Sequence, residues 1–155
     1  MEPVHRSVLV DEVLTYLEPT EPESVLVDAT LGEGGHSARF LQSFASLRIV
    51  GVDADATMMG RARERLAEYG ERVEFVNSWF DEYLSDTTIR PDRILMDLGI
   101  SMYHFSHAGR GFSFRADEPL DMRLDERQER SAADLVNDLG ETELANLIYQ
   151  YGEER

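Results

Sequence analysis

The stretch Val27–Ser37, VDATLGEGGHS, decides how the rest of the chain is read. An apolar run, Val25 to Val27, leads into an acid, Asp28, and then Gly32, Gly34 and Gly35 follow close together. Glycine is costly to order and is placed where backbone must turn sharply or approach a ligand closely. A glycine turn that closes a strand and opens a helix lies at the carboxyl end of that strand. That is where open α/β sheets bind their ligands. His36 to Ala45 supplies the helix, with Phe40, Leu41 and Phe44 at helical spacing.

The same grammar continues outward. Ile49–Val52, Val73–Val76 and Ile94–Met96 are further short apolar runs bounded by turn residues or charge, and they read as strands. Ala54 to Tyr69 carries Met58, Met59, Ala62, Leu66 and Tyr69 on one helical face, with RARER on the wet side. Met58, Met59 and Met96 read as core. Strands alternating with helices predict a parallel, doubly wound α/β sheet. Ahead of it, HRSVLVDEVLTYL spaces Leu9, Val10, Val13, Leu14 and Leu17 as an amphipathic helix. Beyond Met96 the periodicity fades for about thirty residues, a length that in compact domains is usually functional or disordered. SAADLVNDL then reads as a short helix with Ser131 and Asp134 as a capping box, and ETELANLIYQYG as another that stops at Gly152. Four strands make a thin sheet, and the sequence reads as the first part of something larger.

Composition narrows the classes. The 155 residues suit one domain, and the absence of cysteine excludes disulfides and cysteine-based zinc sites. No apolar run approaches the roughly 18 residues of a membrane span. The start lacks the basic-then-apolar plan of a signal peptide, so the expectation is a soluble cytoplasmic protein without membrane contact. The formal net charge is -16, with arginine as the sole strong base. That balance argues against simple electrostatic attachment to nucleic acid; it fits solubility, or a salt-rich cytoplasm that screens self-repulsion.

The acids at the strand ends point to the ligand. Asp53 ends the second strand, about twenty residues after the glycines, where a carboxylate can accept hydrogen bonds from the ribose of an adenosine. The dinucleotide fingerprint asks for G-x-G-x-x-G, but Gly32-x-Gly34-x-x leads to Ser37. Asp28 would repel a pyrophosphate and suits the cationic end of S-adenosylmethionine. These residues favour S-adenosylmethionine over NAD; a tight strand–helix turn without any ligand is the third reading. Asp97, in MDLGIS, ends the fourth strand and comes beside the glycine loop if that strand neighbours the first. Its plain alternative is a cap. Trp79 and Phe80 follow the third strand, where one of them could cover an adenine or simply fill core.

HAGRGFSFRADEPLDMRLD interleaves Arg110, Arg115 and Arg123 with Phe112, Phe114 and three aspartates. Arginine and aromatic side chains are what splayed-out bases stack on. The alternative is a solvated loop tied down by internal ion pairs. His104 and His107 are three residues apart, but no third ligand stands at suitable spacing, so no metal site is expected.

Taken together, DATLGEGGHS, GVDAD, MDLGIS, RGFSFR, PLDMRLD, SAADLVN and YGEER resemble the MraW-type family, over His5 to Arg155. Members of that family are S-adenosylmethionine-dependent methyltransferases acting on the N4 amino group of a cytosine in small-subunit ribosomal RNA. The resemblance implies a class I (Rossmann-like) methyltransferase fold, incomplete at its carboxyl end, with the start of an inserted helical domain. It implies a cofactor domain over residues 1–108 and the insertion over 109–155. It implies cofactor contacts from Gly34, Gly35, His36, Asp53, Phe80 and Asp97, and from His104, where the family more often has glutamine. The implied partner is small-subunit ribosomal RNA or the small ribosomal subunit.

On this reading Asp97 is the candidate catalytic residue, orienting the target amine, and Arg110, Phe112 and Phe114 are candidates to receive the flipped base. Two rivals stand beside it: a non-catalytic cofactor-binding or interaction module, and a nicotinamide-dependent oxidoreductase. Strand four is expected beside strand one, leaving an exposed apolar edge from Ile94 to Met96 that invites self-association.

Overall fold

The computed structural model describes residues 7–152. His5, Arg6 and the GluGluArg end of YGEER lie outside the described residues. Four parallel strands form one sheet: β1 (Val25–Asp28), β2 (Arg48–Val52), β3 (Val73–Val76) and β4 (Arg93–Leu95), in the order β3-β2-β1-β4. The helices are α1 (Val10–Tyr16), α2 (Gly35–Ser43), α3 (Ala56–Arg65), α4 (Phe80–Asp86), α5 (Met102–Ser106), α6 (Ala132–Asp138) and α7 (Glu141–Gly152). Helices α2, α3 and α4 are the crossovers that parallel pairing requires.

Side chains of a strand alternate between faces. Leu26 and Ile49, paired in register, pack with Phe40, Leu41, Met59 and Leu66 on one face. Their neighbours Val27 and Val50 pack with Val52, Phe80, Tyr83 and Leu84 on the other. Both faces are covered, so the strands read as continuous apolar runs rather than alternating ones. Burying each such side chain contributes about 1.5–3 kcal/mol.

The chain forms two compact units that divide between Met102 and Tyr103. The first holds the sheet. In the second, the stretch of weak periodicity is tied internally. Met122 N–H donates to Arg110 O at 2.8 Å, and Ala132 and Ala133 N–H donate to Asp121 O and Leu120 O. Ser131 caps α6 with the reciprocal Asp134 contacts of a capping box, as its sequence requires.

Some expectations shift. Met58 and Met59 are core, but Met96 is 42% exposed, because β4 has no neighbour on its outer side among the described residues. Ile94 is equally exposed, so the apolar edge is present. Leu9 is not on the buried face of α1: it is the N-cap, left-handed at φ 50, and exposed. Val13, Leu14 and Leu17 do pack on the core. The helix predicted from Ala54 to Tyr69 ends at Arg65 and continues as 3-10 turns over Ala67–Arg72, broken at Gly70 with φ 54. Among the described residues no helix is long and apolar enough to cross a membrane.

Candidate functional site

All four strands end on one edge of the sheet. The crossovers run outward from β1 to β2 and β3, while β4 lies on β1's other side. The switch point therefore falls between β1 and β4, where such sheets open a crevice. The glycine loop leaves β1 there. Gly32 and Gly34 are left-handed, at φ 53 and φ 73. A Cβ on Gly34 would come within 2.9 Å of Leu66 Cδ1, so only glycine lets the loop lie flat on α3. Nothing lies within 4 Å of where a Gly32 Cβ would stand, which leaves space on the loop's open side.

Three carboxylates gather round this loop. Asp53, just past β2, accepts the Gly32 N–H at 2.7 Å with Oδ2 and the Asp55 N–H at 2.9 Å with Oδ1. A carboxylate offers about four lone-pair sites, the acceptor chemistry that ribose hydroxyls take. Asp28 ends β1 and is buried; Oδ2 accepts the Ser37 hydroxyl at 2.7 Å and Oδ1 the Thr30 N–H at 3.4 Å. Burial pushes the Asp28 carboxyl up to about 6, against the pull of the Ser37 and Thr30 hydrogen bonds, and the charges of Asp53 and Asp97 add to the rise. Asp97 follows β4, its N–H donating to Thr30 Oγ1 at 2.7 Å. Its carboxylate is 41% exposed and stands 3.7 Å from Nε2 of the buried His36.

An edge with this charge repels phosphate and suits a cation. The glycine cradle, the Asp53 acceptor and the acid set together fit S-adenosylmethionine, whose sulfonium and ammonium groups are positive. Among the described residues no group of three or more His, Asp or Glu is arranged to hold a metal ion.

Gly34, Gly35, His36, Asp53 and Asp97 thus converge on the strand-end edge of the first unit. Phe80 opens α4 directly after β3, partly buried against the second-face core. The other candidates belong to the second unit. There His104 is buried, in edge-to-face contact with Phe112 at 5.3 Å. Arg110 is also buried; Nη1 donates to Arg123 O at 2.9 Å and Leu124 O at 3.3 Å, and the guanidinium lies over Phe112. Arg123 grips Asp121 with two hydrogen bonds, at 2.7 and 2.8 Å, which hold the Asp121 carboxyl well below the usual range. The loop is therefore bound by internal ion pairs, the plainer of its two sequence readings. Phe114 is fully exposed.

No expectation attached to Thr30, Asn77 or the Glu33–Arg61 pair. Asn77 follows β3 and its Nδ2 donates to Asp53 O at 2.8 Å and Ala54 O at 3.1 Å, fixing the backbone that carries Asp53. Its place one residue past an apolar run, on the same edge as Asp53, was the available signal. Glu33 is an acid inside a glycine turn, yet it is buried and ion-paired to Arg61 of α3.

A family model described as the MraW methylase family matches residues 2–155. The ribosomal RNA small subunit methyltransferase H of Treponema denticola is 51% identical over 158 residues, covering 100% of this chain and 50% of its own length. The protein of that name from Picosynechococcus is 46% identical, with 97% of this chain and 51% of its own length covered. The chain thus spans about half the length of the curated relatives it matches. Among solved structures, the C-terminal domain of precorrin-6Y C5,15-methyltransferase from Rhodobacter capsulatus aligns with a TM-score of 0.51 at 21% identity, over 60% of this chain and 50% of that one. The likeness is one of fold: the first unit has the class I methyltransferase architecture.

Proposed function

Because the chain belongs to the MraW methylase family, we propose that it carries the cofactor half of an S-adenosylmethionine-dependent enzyme that methylates the N4 amino group of a cytosine in small-subunit ribosomal RNA. The observation that carries this reading is the gathering of Asp28, Asp53 and Asp97 round a left-handed glycine loop at the switch point. The names of its relatives give the reading its substrate class.

When bound, the cofactor supplies an electrophilic methyl group on a cationic sulfur. The chain's own residues do the rest. Backbone at Gly34, Gly35 and His36 cradles the cofactor, Asp53 accepts from its ribose, and Phe80 is a further contact. The negative field of the three acids would hold the cationic end of the cofactor. A cytosine N4 is a weak nucleophile because its lone pair is delocalised into the ring. Asp97, half exposed on the edge, accepts a hydrogen bond from that amine, localises the pair and aims it. The proton that the alkylated amine sheds passes to Asp97 or water.

The target base must leave its stack to be reached. Phe114, fully exposed, and Phe112 are the proposed stacking surface, with Arg110 holding their loop in shape. Acidic residues outnumber arginines in both units, so these residues provide contact to bases rather than attraction to phosphate.

Incubation of the chain with small ribosomal subunits and methyl-labelled cofactor, followed by nucleoside analysis, is the test. Label in N4-methylcytidine supports the reading, and label in another nucleoside contradicts the N4 assignment. Cofactor binding without any label favours the binding-module reading.

A further inference from the structure

Glu33 is an odd residue for its position. It lies between two left-handed glycines, in a turn that by its nature faces the ligand edge, yet its side chain is only 6% exposed. It turns inward, and Arg61 of α3 donates Nε to its Oε1. The same helix supports the loop one residue later, where Ala62 and Leu66 lie against Gly34. On its other side the loop is held by Asp53, which accepts the Gly32 N–H, and by the Gly34 N–H donating to Leu31 O at 2.8 Å.

We propose that the Glu33–Arg61 pair is a latch that fixes the cofactor loop, making both positioning residues for S-adenosylmethionine although neither touches it. The inference rests on the cofactor reading above. Gly32 and Gly34 each have wide backbone freedom. Left to themselves they would let the loop sample conformations in which the Gly34–His36 backbone does not face the crevice. One pair, placed between the two glycines and anchored on a helix, removes that freedom from both at once. Preorganisation of this kind lowers the cost of binding. Arg61 is two turns into a helix that the N-cap Asp55 anchors through the Thr57 and Met58 N–H groups, so the latch has a rigid base.

The test uses Glu33→Gln, Arg61→Met, the double Glu33→Met/Arg61→Met and the conservative Arg61→Lys. Replacing both members of a buried pair by apolar side chains is often neutral for stability, so the double variant separates folding from positioning. The readouts are calorimetric affinity for S-adenosylmethionine, the melting temperature, and amide hydrogen exchange at Gly32 and Gly34. The expected result is an affinity loss of about ten- to a hundredfold in both singles and the double, the scale of a displaced binding group. Exchange at Gly32 and Gly34 quickens by about tenfold in the same variants. The double keeps a melting temperature near wild type, and Arg61→Lys falls in between on affinity and exchange. A double variant with wild-type affinity and wild-type exchange overturns the latch and leaves the pair merely structural. Wild-type protein without cofactor affinity removes the cofactor reading instead, and exchange at the two amides then decides the latch alone.

Discussion

The Asp97 backbone N–H donates to the Thr30 hydroxyl at 2.7 Å, stitching the end of β4 to the turn that leaves β1. The contact extends the β1–β4 pairing past the strand ends, where Ala29 N–H donates to Leu95 O at 2.9 Å. It also fixes where the Asp97 carboxylate stands relative to His36.

Asp97→Asn keeps the backbone stitch and removes only the charge. Single-turnover methyl transfer at saturating cofactor is expected to slow by about a hundredfold, the scale of a positioned acid–base group. An unchanged rate there would leave Asp97 a structural or cofactor-binding residue.

Asp28 makes both stability and binding depend on pH. Its carboxyl is raised from 3.8 to about 6 in the fold, so the folded chain prefers it protonated. Folding stability is therefore highest below pH 4 as far as this group is concerned, and it falls as pH rises toward 6. The loss levels off above that, near about 3 kcal/mol. Asp28→Asn should remove this slope, which denaturant titration at pH 4, 5, 6 and 7 reads directly. A cation bound nearby favours the ionised form, so S-adenosylmethionine should bind more tightly as pH rises through 6 in the wild type, with that dependence weakened in Asp28→Asn.

Gly34→Ala tests the loop's shape. The new Cβ would meet Leu66 in a backbone conformation that costs an L-residue about 1–2 kcal/mol even in open space. A lower melting temperature and weaker cofactor binding are expected together. Substitution of Gly32 meets no neighbour within 4 Å, and there the conformational cost acts alone.

In the second unit, Phe114→Ala and Arg110→Ala should separate. Phe114 is fully exposed, so its loss leaves stability unchanged while weakening ribosomal RNA binding by roughly 1–3 kcal/mol, the value of one stacked base. Arg110 is buried, donates to two backbone carbonyls and pairs with Glu126 at 3.6 Å, so its removal should lower the melting temperature by unpinning the loop. Filter binding and thermal melts on the two variants give the comparison.

The sheet was legible because each strand is short and bounded by turn residues or charge, and the two central strands are apolar on both faces. Packing on both sides leaves no room for polar alternation at Leu26–Val27 or Ile49–Val50. The boundary at Arg65 was hidden because the apolar spacing continues through Leu66 and Tyr69 while Gly70 breaks the backbone. Met96 misled because the apolar run continues one residue past the end of β4 at Leu95, and apolar character alone does not show where pairing and burial stop. Asp53 and Asp97 were visible from their place after apolar runs. Glu33–Arg61 was not, since their contact spans 28 positions and is made by tertiary packing of α3 under the loop. The role of Arg110 was equally hidden, because nothing in RGFSFR tells a base-stacking guanidinium from one that grips carbonyls thirteen residues away.

The most direct measurement is calorimetric titration of S-adenosylmethionine into the wild-type chain and Asp53→Ala under the same conditions. Asp53 accepts the Gly32 N–H and is the proposed ribose acceptor, and such charge-assisted bonds are worth roughly 1.5–3 kcal/mol. The account predicts saturable binding by the wild type, weakened about ten- to a hundredfold in the variant. Equal affinity in the two proteins, or no binding by the wild type, would contradict it.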